Sequence, residues 1–408
     1  MQLRYNFRIS PTPGQCTALA RAFGCVRVVY NDALRIREDA REAGLPSKRL
    51  TASKKTEPRA WLGEVSSVVL QQSLRDLDTA YKNFFDGLKG KRPRIGAPRF
   101  KSRRDNRQTI RFTANAGWKI TPGGRLRLPK IGDIPVKWSR SLPSTPSTVT
   151  VAKDAAGRYF ASFVVETDPA ADLDRMPATA DEVGIDLGLT YFAVLCDGRK
   201  VSAPKFFRRA ERKLRKAQRN LARKTKGSNN RRKAVVKVAR AHAHAANARR
   251  DFHHRLSTTI VRENQAVYVE DLAVKSLART RLAKSVHDAG WSAFVSMLEY
   301  KTARYGRVFA RVDRFFPSSR LCSACGFKDG PKPLNVPEWT CQGCGTVHDR
   351  DVNAAVNIRT EGRKVAAGQV ETVNGSGAQV SPGSVPAPRD EAATRRDGQP
   401  TVVGILAL

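Results

Sequence analysis

Two cysteine pairs constrain the chain more than any other feature: Cys322-x2-Cys325 and Cys341-x2-Cys344, separated by fifteen residues. Two CxxC turns at this spacing offer four thiolates to one ion, so residues 318–348 are expected to fold as a zinc ribbon around one structural Zn2+. Gly326 and Gly345 follow the second cysteine of each pair and supply the backbone freedom that such turns need. Cys16, Cys25 and Cys196 are scattered and read as buried apolar groups, not disulfide partners. The ribbon announces a metal but not a function, since most such zincs only hold structure.

Charge points to the partner. The 408 residues carry 74 Lys+Arg against 37 Asp+Glu, a formal net charge of +37. An excess of that size predicts a polyanion, and nucleic acid is the commonest one. Hydrophobic residues make up 40% of the chain, enough for a real core, which excludes wholesale disorder. No run of 18 apolar residues occurs, and the N-terminus MQLRYNFRISPTPG lacks the apolar stretch of a signal peptide. The expectation is a cytoplasmic protein with no membrane partner.

The charge is uneven. Residues 205–250 hold 18 Lys/Arg and one acid, Glu211, so this helical arm alone supplies +17. Self-repulsion on that scale is best relieved by a phosphate backbone, with Arg212, Arg215, Lys216 and Arg219 among the candidate contacts. Gly227–Asn230 should break the arm into two antiparallel helices. Residues 362–408, with five basic and four acidic residues and no periodicity, read as a disordered tail.

Hydrophobic periodicity orders the rest. Leu3–Ile9 alternates as a strand, and helical spacing covers 15–43 and 61–88, followed by a basic Pro/Gly linker over 89–104. Six short strands then follow (109–112, 118–120, 125–128, 134–136, 148–153, 159–167), which suggest a small barrel or curled sheet that the first strand could complete. After a linker at 168–181 the pattern becomes α/β. Strands are expected at 183–187, at 266–270 and at 308–316, a hairpin at Asp197-Gly198, a helix at 288–305, and a last helix from Asp351, with Asp351 as its cap.

Three acids fall at the ends of these elements. Asp186 ends VGID, Glu270 ends AVYVE, and Asp351 opens DVNAAVNI. Hydrolysing a phosphodiester through two divalent cations requires such clustered carboxylates, and a ribonuclease-H-like fold delivers acids in this way, from two strands and a helix.

The order GIDLG, VEDL, PSSRLCSACG, HDRDVNAAVNI resembles the TnpB family of transposon-encoded nucleases and their type V CRISPR relatives. The segments EVSSVVLQQSLRDLDTAYKNFF and RKLRKAQRNLARK resemble it too, so the likeness spans about residues 1–360. The resemblance implies a RuvC-like nuclease domain (181–317 and 349–361) with the zinc ribbon inserted at 318–348. It also implies a wedge-like β-barrel (1–10 and 105–170) interrupted by a helical recognition domain (11–104). The family's catalytic acids fall on Asp186, Glu270 and Asp351, which would hold two Mg2+ or Mn2+ ions. Asp271, Asp349 and His348 read as supporting residues. The partners implied are a guide RNA and double-stranded target DNA, read beside a short flanking motif by a monomer in the prokaryotic cytoplasm, close to the nucleoid. Gln71 matches the family's motif-reading helix, and glutamine can pair with adenine in the major groove. Two rival readings are a DNA transposase with the same core, for which no separate helix-turn-helix is apparent, and a non-cleaving RNA-guided regulator.

Overall fold

In the computed structural model the described residues are 2–44, 60–103, 105, 107–168, 176–332 and 336–368, with the backbone of 372–373, 379–380 and 403–406. Two compact units result, Met1–Thr167 with Pro400–Leu408, and Asp168–Gln399.

The first unit opens with β1 (Gln2–Ile9) and α1 (Pro13–Glu42). Thr12 and Gln15 exchange side-chain and backbone hydrogen bonds in a capping box, and Pro13 occupies the first turn where its missing N–H costs nothing. A 3-10 turn at Ala60–Glu64 leads into α2 (Ser67–Leu88). Strands β2 (Gln108–Thr113), β3 (Lys119–Ile120), β4 (Arg125–Leu128), β5 (Gly132–Lys137), β6 (Thr148–Lys153) and β7 (Tyr159–Glu166) follow. They hydrogen-bond in the order β2-β6-β7-β1-β5-β4-β3, so the first strand in sequence is central.

Among the described residues the strands form an open hydrogen-bonded path from β2 to the two-residue β3, the curled sheet of the two expected alternatives and not a closed barrel. Its inner face is occupied instead by the inserted helices: Leu19, Phe23 and Val26 of α1 and Val69 of α2 share one core with Phe7, Phe112 and Phe163. The basic segment 89–104 is held, not loose. An added Cβ at Gly87 would lie 3.3 Å from the Arg94 Cα, so this segment folds back on α2. At its far end Asn31 bonds both the N–H and the carbonyl of Lys101, at 2.8 and 3.0 Å.

Most of the tail expected to be unstructured from residue 362 lies outside the described residues, and only its described part differs from that expectation. The last helix of the second unit runs to Ala366, and a short strand, Val403–Leu406, pairs in parallel with Leu3–Asn6. The reason lies in β1, where β5 bonds only Arg8 and Ile9 and leaves the edge of Leu3–Asn6 open for another strand.

The second unit contains β8 (Glu182–Asp186), β9 (Tyr191–Leu195), β10 (Lys200–Ser202), α3 (Phe206–Ala222), α4 (Asn229–Glu263) and β11 (Ala266–Glu270). It continues with α5 (Val274–Leu277), α6 (Ala283–Ala289), α7 (Trp291–Arg304), β12 (Val308–Val312), β13 (Glu338–Thr340), β14 (Val347–Asp349) and α8 (Arg350–Ala366). The sheet order is β10-β9-β8-β11-β12; β8, β11 and β12 are parallel and the β8–β9–β10 meander is antiparallel. Val183, Ile185, Val267, Val269, Phe294 and Leu298 form the core between this sheet and its helices.

Two elements differ from expectation. The helix expected over 288–305 is broken at Gly290, which adopts φ +67°. The buried Asp288 just before it caps α3 instead, accepting from the Phe207 and Arg208 N–H groups at 2.7 and 3.2 Å. The strand expected to reach 316 stops at Val312, because the Asp313 carboxylate accepts the Phe315 N–H at 2.8 Å and turns the chain. The arm does form two helices. Arg231 at the start of α4 donates to the carbonyls of Leu221, at the end of α3, and Lys224, just beyond it, while Phe206 at the start of α3 meets Phe252 late in α4 edge to face, so the pair is antiparallel.

Candidate active site

The register of two parallel strands aligns the first two acids. Ala266 faces Glu182 and Val269 faces Ile185, and one residue beyond stand Glu270 and Asp186. Residues level on adjacent strands lie about 4.8 Å apart and point to the same face. Both elements are apolar through to these positions, and the polar residue comes where each strand leaves the core.

The third acid arrives on α8, and two glycines let that helix lie against the sheet. An added Cβ at Gly184 would sit 2.1 Å from the Ala355 carbonyl oxygen, and one at Gly362 would sit 2.4 Å from the Tyr268 ring. Gly184 and Tyr268 therefore face α8, and Asp186 and Glu270, two residues further on, face it too. One turn back from Ala355 along the helix is Asp351. Asp351 is not the cap: Asp349 is, accepting from the Asp351 and Val352 N–H groups at 3.1 and 3.0 Å. The cap is braced by Lys200 Nζ at 2.5 Å. This leaves the Asp351 carboxylate available, with the neighbouring Arg350 guanidinium at 3.2 Å.

Burial pushes the Asp186 carboxyl up to about 7, reinforced by the negative charges of Glu270 and Asp351 and eased by Arg350. Glu270 is pushed up to about 7 as well, by burial and then by Asp271. Asp271 is itself held by Arg314 and, at 3.8 Å, by Arg311. Burial is the larger cause for both groups, so each carboxylate would gain from a bound cation. A set of hard carboxylate oxygens in that condition fits divalent cations of the Mg2+ or Mn2+ class.

The thiolate cluster is tighter. The Sγ atoms of Cys322, Cys325, Cys341 and Cys344 all lie within 4.8 Å of one another, the one such group of His, Cys, Asp or Glu among the described residues. Cys322 and Cys344 are 3.7 Å apart, as are Cys325 and Cys341. Four sulfurs placed about 2.3 Å from a tetrahedral zinc would be about 3.8 Å apart, so the donor set fits that ion. The two turns match, with Gly326 and Gly345 at φ +75° and +72°, each donating to the carbonyl of the first cysteine at 2.9 Å. His348 is no further member of the set; its Nε2 lies 3.0 Å from the Cys322 sulfur and its ring packs on Trp339. Arg350 and Lys200 are the residues that sequence reasoning misses here, because a cation beside an acidic motif carries no signal of its own.

Gln71 is exposed on α2, while the adjacent Gln72 is buried. Arg212, Arg215, Lys216 and Arg219 are exposed along α3. One acid does interleave there: Glu211 binds Arg215 at 2.6 Å and Lys284 at 2.7 Å. No described helix is long and apolar enough to cross a membrane.

Comparison with known proteins agrees with this organisation. Family profiles described as "Probable transposase", "Cas12f1-like, TNB domain" and "Helix-turn-helix domain" match residues 134–281, 291–358 and 1–45. The sequence alone suggests no helix-turn-helix in the last of these stretches, and its described residues form β1 and the single helix α1. A Streptomyces pristinaespiralis protein named "Putative RNA-guided DNA endonuclease" is 48% identical over 375 residues, covering 89% of this chain and 90% of the relative. The Escherichia coli (strain K12) protein of that name designated InsQ is 31% identical over 388 residues, covering 89% of this chain and 93% of the relative. A cryo-EM structure of a Cas12f1-sgRNA-target DNA complex shares the fold, with a TM-score of 0.51, 13% identity, and coverage of 85% of this chain and 82% of that one. The chain belongs to the TnpB family of transposon-encoded RNA-guided nucleases.

Proposed function

We propose that the protein is a guide-RNA-directed DNA endonuclease that cuts both strands of a target lying beside a short DNA motif. The observation that supports the reading is that Asp186 and Glu270 stand level on parallel strands and face a helix, seated against Gly184, whose first turn carries Asp351. The strand order β10-β9-β8-β11-β12, antiparallel on one side and parallel on the other, supports a ribonuclease-H-like, RuvC-type nuclease unit.

Asp186, Glu270 and Asp351 would hold two divalent cations. When bound, such ions neutralise phosphate oxygens, activate water and stabilise the leaving 3′ oxygen. The protein's own part is positional. Gly184 and Gly362 keep α8 close, Asp349 and Lys200 fix its first turn, and Arg350 tempers the charge around Asp351. The thiolate ribbon, inserted between β12 and α8, would fix where that helix begins by binding one structural Zn2+.

The arm residues Arg212, Arg215, Lys216 and Arg219 would contact guide RNA through its phosphates, and pairing between guide and target strand would supply sequence specificity. Gln71 on α2 would read the flanking motif. The protein would act as a monomer in the bacterial cytoplasm. The relatives' printed names and the neighbour's bound RNA and DNA support this over a strand-joining transposase. The test supplies RNA transcribed from the DNA flanking the gene, Mg2+, and a plasmid library with a matched target and a randomised flank. Cleavage dependent on guide, Mg2+ and one enriched flank is expected. Cutting without guide, or joining of ends, would overturn the reading, and an unchanged flank preference for Gln71→Ala would remove that residue from it.

A further inference from the structure

The loop that follows β12, the strand paired with the one that ends in Glu270, presents one aromatic ring to solvent. Phe315 is 80% exposed, more than any other large apolar side chain among the described residues. Its neighbour Phe316 turns inward and packs with Tyr268, Val312 and Ile358. The backbone between them is fixed: the Asp313 carboxylate accepts the Phe315 N–H at 2.8 Å, the Asp313 carbonyl accepts the Phe316 N–H at 3.0 Å, and the Phe316 carbonyl accepts the Ser318 N–H at 2.8 Å. Arg314 is bound to Asp271, the residue after Glu270, and the Asp271 N–H donates to the Val312 carbonyl at 2.9 Å. Val312 is level with Glu270 across the β11–β12 pair. Three residues further on, Phe315 stands within about 15 Å of Glu270 by chain reach and strand spacing.

We propose that Phe315 is a substrate-positioning residue that stacks on an unpaired base of the DNA strand entering the acid cluster. This rests on the nuclease reading above and adds a contact to it. A lone ring is too small for a protein-docking patch, and the exposed Arg320 five residues on adds positive charge to the same segment, the mixture of π-face and positive charge that single strands find on their binding proteins. Every base offers a π-face, so the contact would serve any sequence that a guide selects. The rigid turn suits the task, since the ring is held out before substrate arrives and little ordering remains at binding.

The test measures binding of a guide-matched single-stranded DNA, carrying 2-aminopurine outside the paired stretch, to the full-length protein loaded with guide RNA and zinc in Mg2+-free buffer, and then its cleavage on adding Mg2+. Phe315→Ala should weaken binding by about 10-fold, the scale of one base–aromatic stack, abolish the 2-aminopurine quench and raise KM while kcat changes little. Phe315→Tyr should restore all three. An abasic site at the stacked position should weaken wild-type binding and leave the Phe315→Ala variant unaffected. Wild-type binding and quench in Phe315→Ala, failure of Phe315→Tyr to rescue, or equal sensitivity of both proteins to the abasic site would each overturn the proposal. If instead the wild-type protein binds with the quench yet cuts no DNA in Mg2+, the nuclease reading fails and the stacking contact stands.

Discussion

The thiolates and the carboxylates both have the donor chemistry that metal ions take, yet they are assembled in opposite ways. The four sulfurs come from two local turns, already about the right distance apart, and sit in a segment with Trp339 as its main apolar filling. The three acids come from two strands and a helix spread over more than 160 residues; burial pushes Asp186 and Glu270 up to about 7, helped at Asp186 by Glu270 and Asp351 and at Glu270 by Asp271. The first cluster contributes to folding once filled. The second costs stability until filled, which is the condition expected of a site selected for chemistry and not for stability.

That contrast can be broken at several points. The largest effect should come from Cys341→Ser, which removes a ligand from the module that holds little else together. Zinc content should fall from one ion per chain and the ribbon should unfold, read by metal analysis and limited proteolysis. A zinc-free wild-type protein with an intact ribbon would deny the cluster its structural role. Next comes Gly184→Ala, whose new methyl would meet backbone, not a flexible side chain. It should cost about 1–3 kcal/mol in chemical unfolding and reduce cleavage further by displacing Asp351. Tolerance of alanine there would mean that α8 does not need its close seat.

Neutralising Arg212, Arg215, Lys216 and Arg219 together should weaken guide-RNA binding and reduce the slope of log affinity against log salt by up to about three. An unchanged slope would move the RNA path off α3. The smallest effect concerns the empty acid cluster. The folded carboxyls of Asp186 and Glu270 keep their protons to about pH 7, whereas an unfolded chain releases them near 4, so the folded state binds more protons across that window. Metal-free stability should therefore decline as pH rises from about 4 to 7 on account of these two groups. Asp186→Asn should flatten part of that decline and raise the melting temperature by a few degrees at pH 8 in Mg2+-free buffer that leaves the zinc in place, while abolishing cleavage. A lower melting temperature would mean that the cluster is compensated in a way this account omits.

Much of this was legible in the residues because it is written locally. The CxxC spacing, the apolar runs ending in Asp186 and Glu270, and the acid-poor arm all depend on neighbours in sequence. What was not legible depends on partners far away. Asp351 looks like a helix cap until Asp349 is seen to accept the first N–H groups. A helix through 288–305 looks continuous until Asp288 is needed at the start of α3, eighty residues earlier. The strands of the first unit read as a barrel or curled sheet, and that Leu19, Phe23 and Val69 of the inserted helices share its core could not be read from them. Gly184 reads as an ordinary strand glycine, and its reason is a helix 170 residues away.

The central claim is that Asp186, Glu270 and Asp351 form one catalytic centre for both DNA strands. The most direct measurement follows cleavage of each strand of a guide-matched, end-labelled duplex by wild-type and Glu270→Ala protein, with target binding measured in parallel without Mg2+. The account predicts that Glu270→Ala binds the target as wild type does, yet cuts both strands at least about 10³-fold more slowly, as loss of a metal ligand requires. Cutting of either strand at the wild-type rate would contradict it.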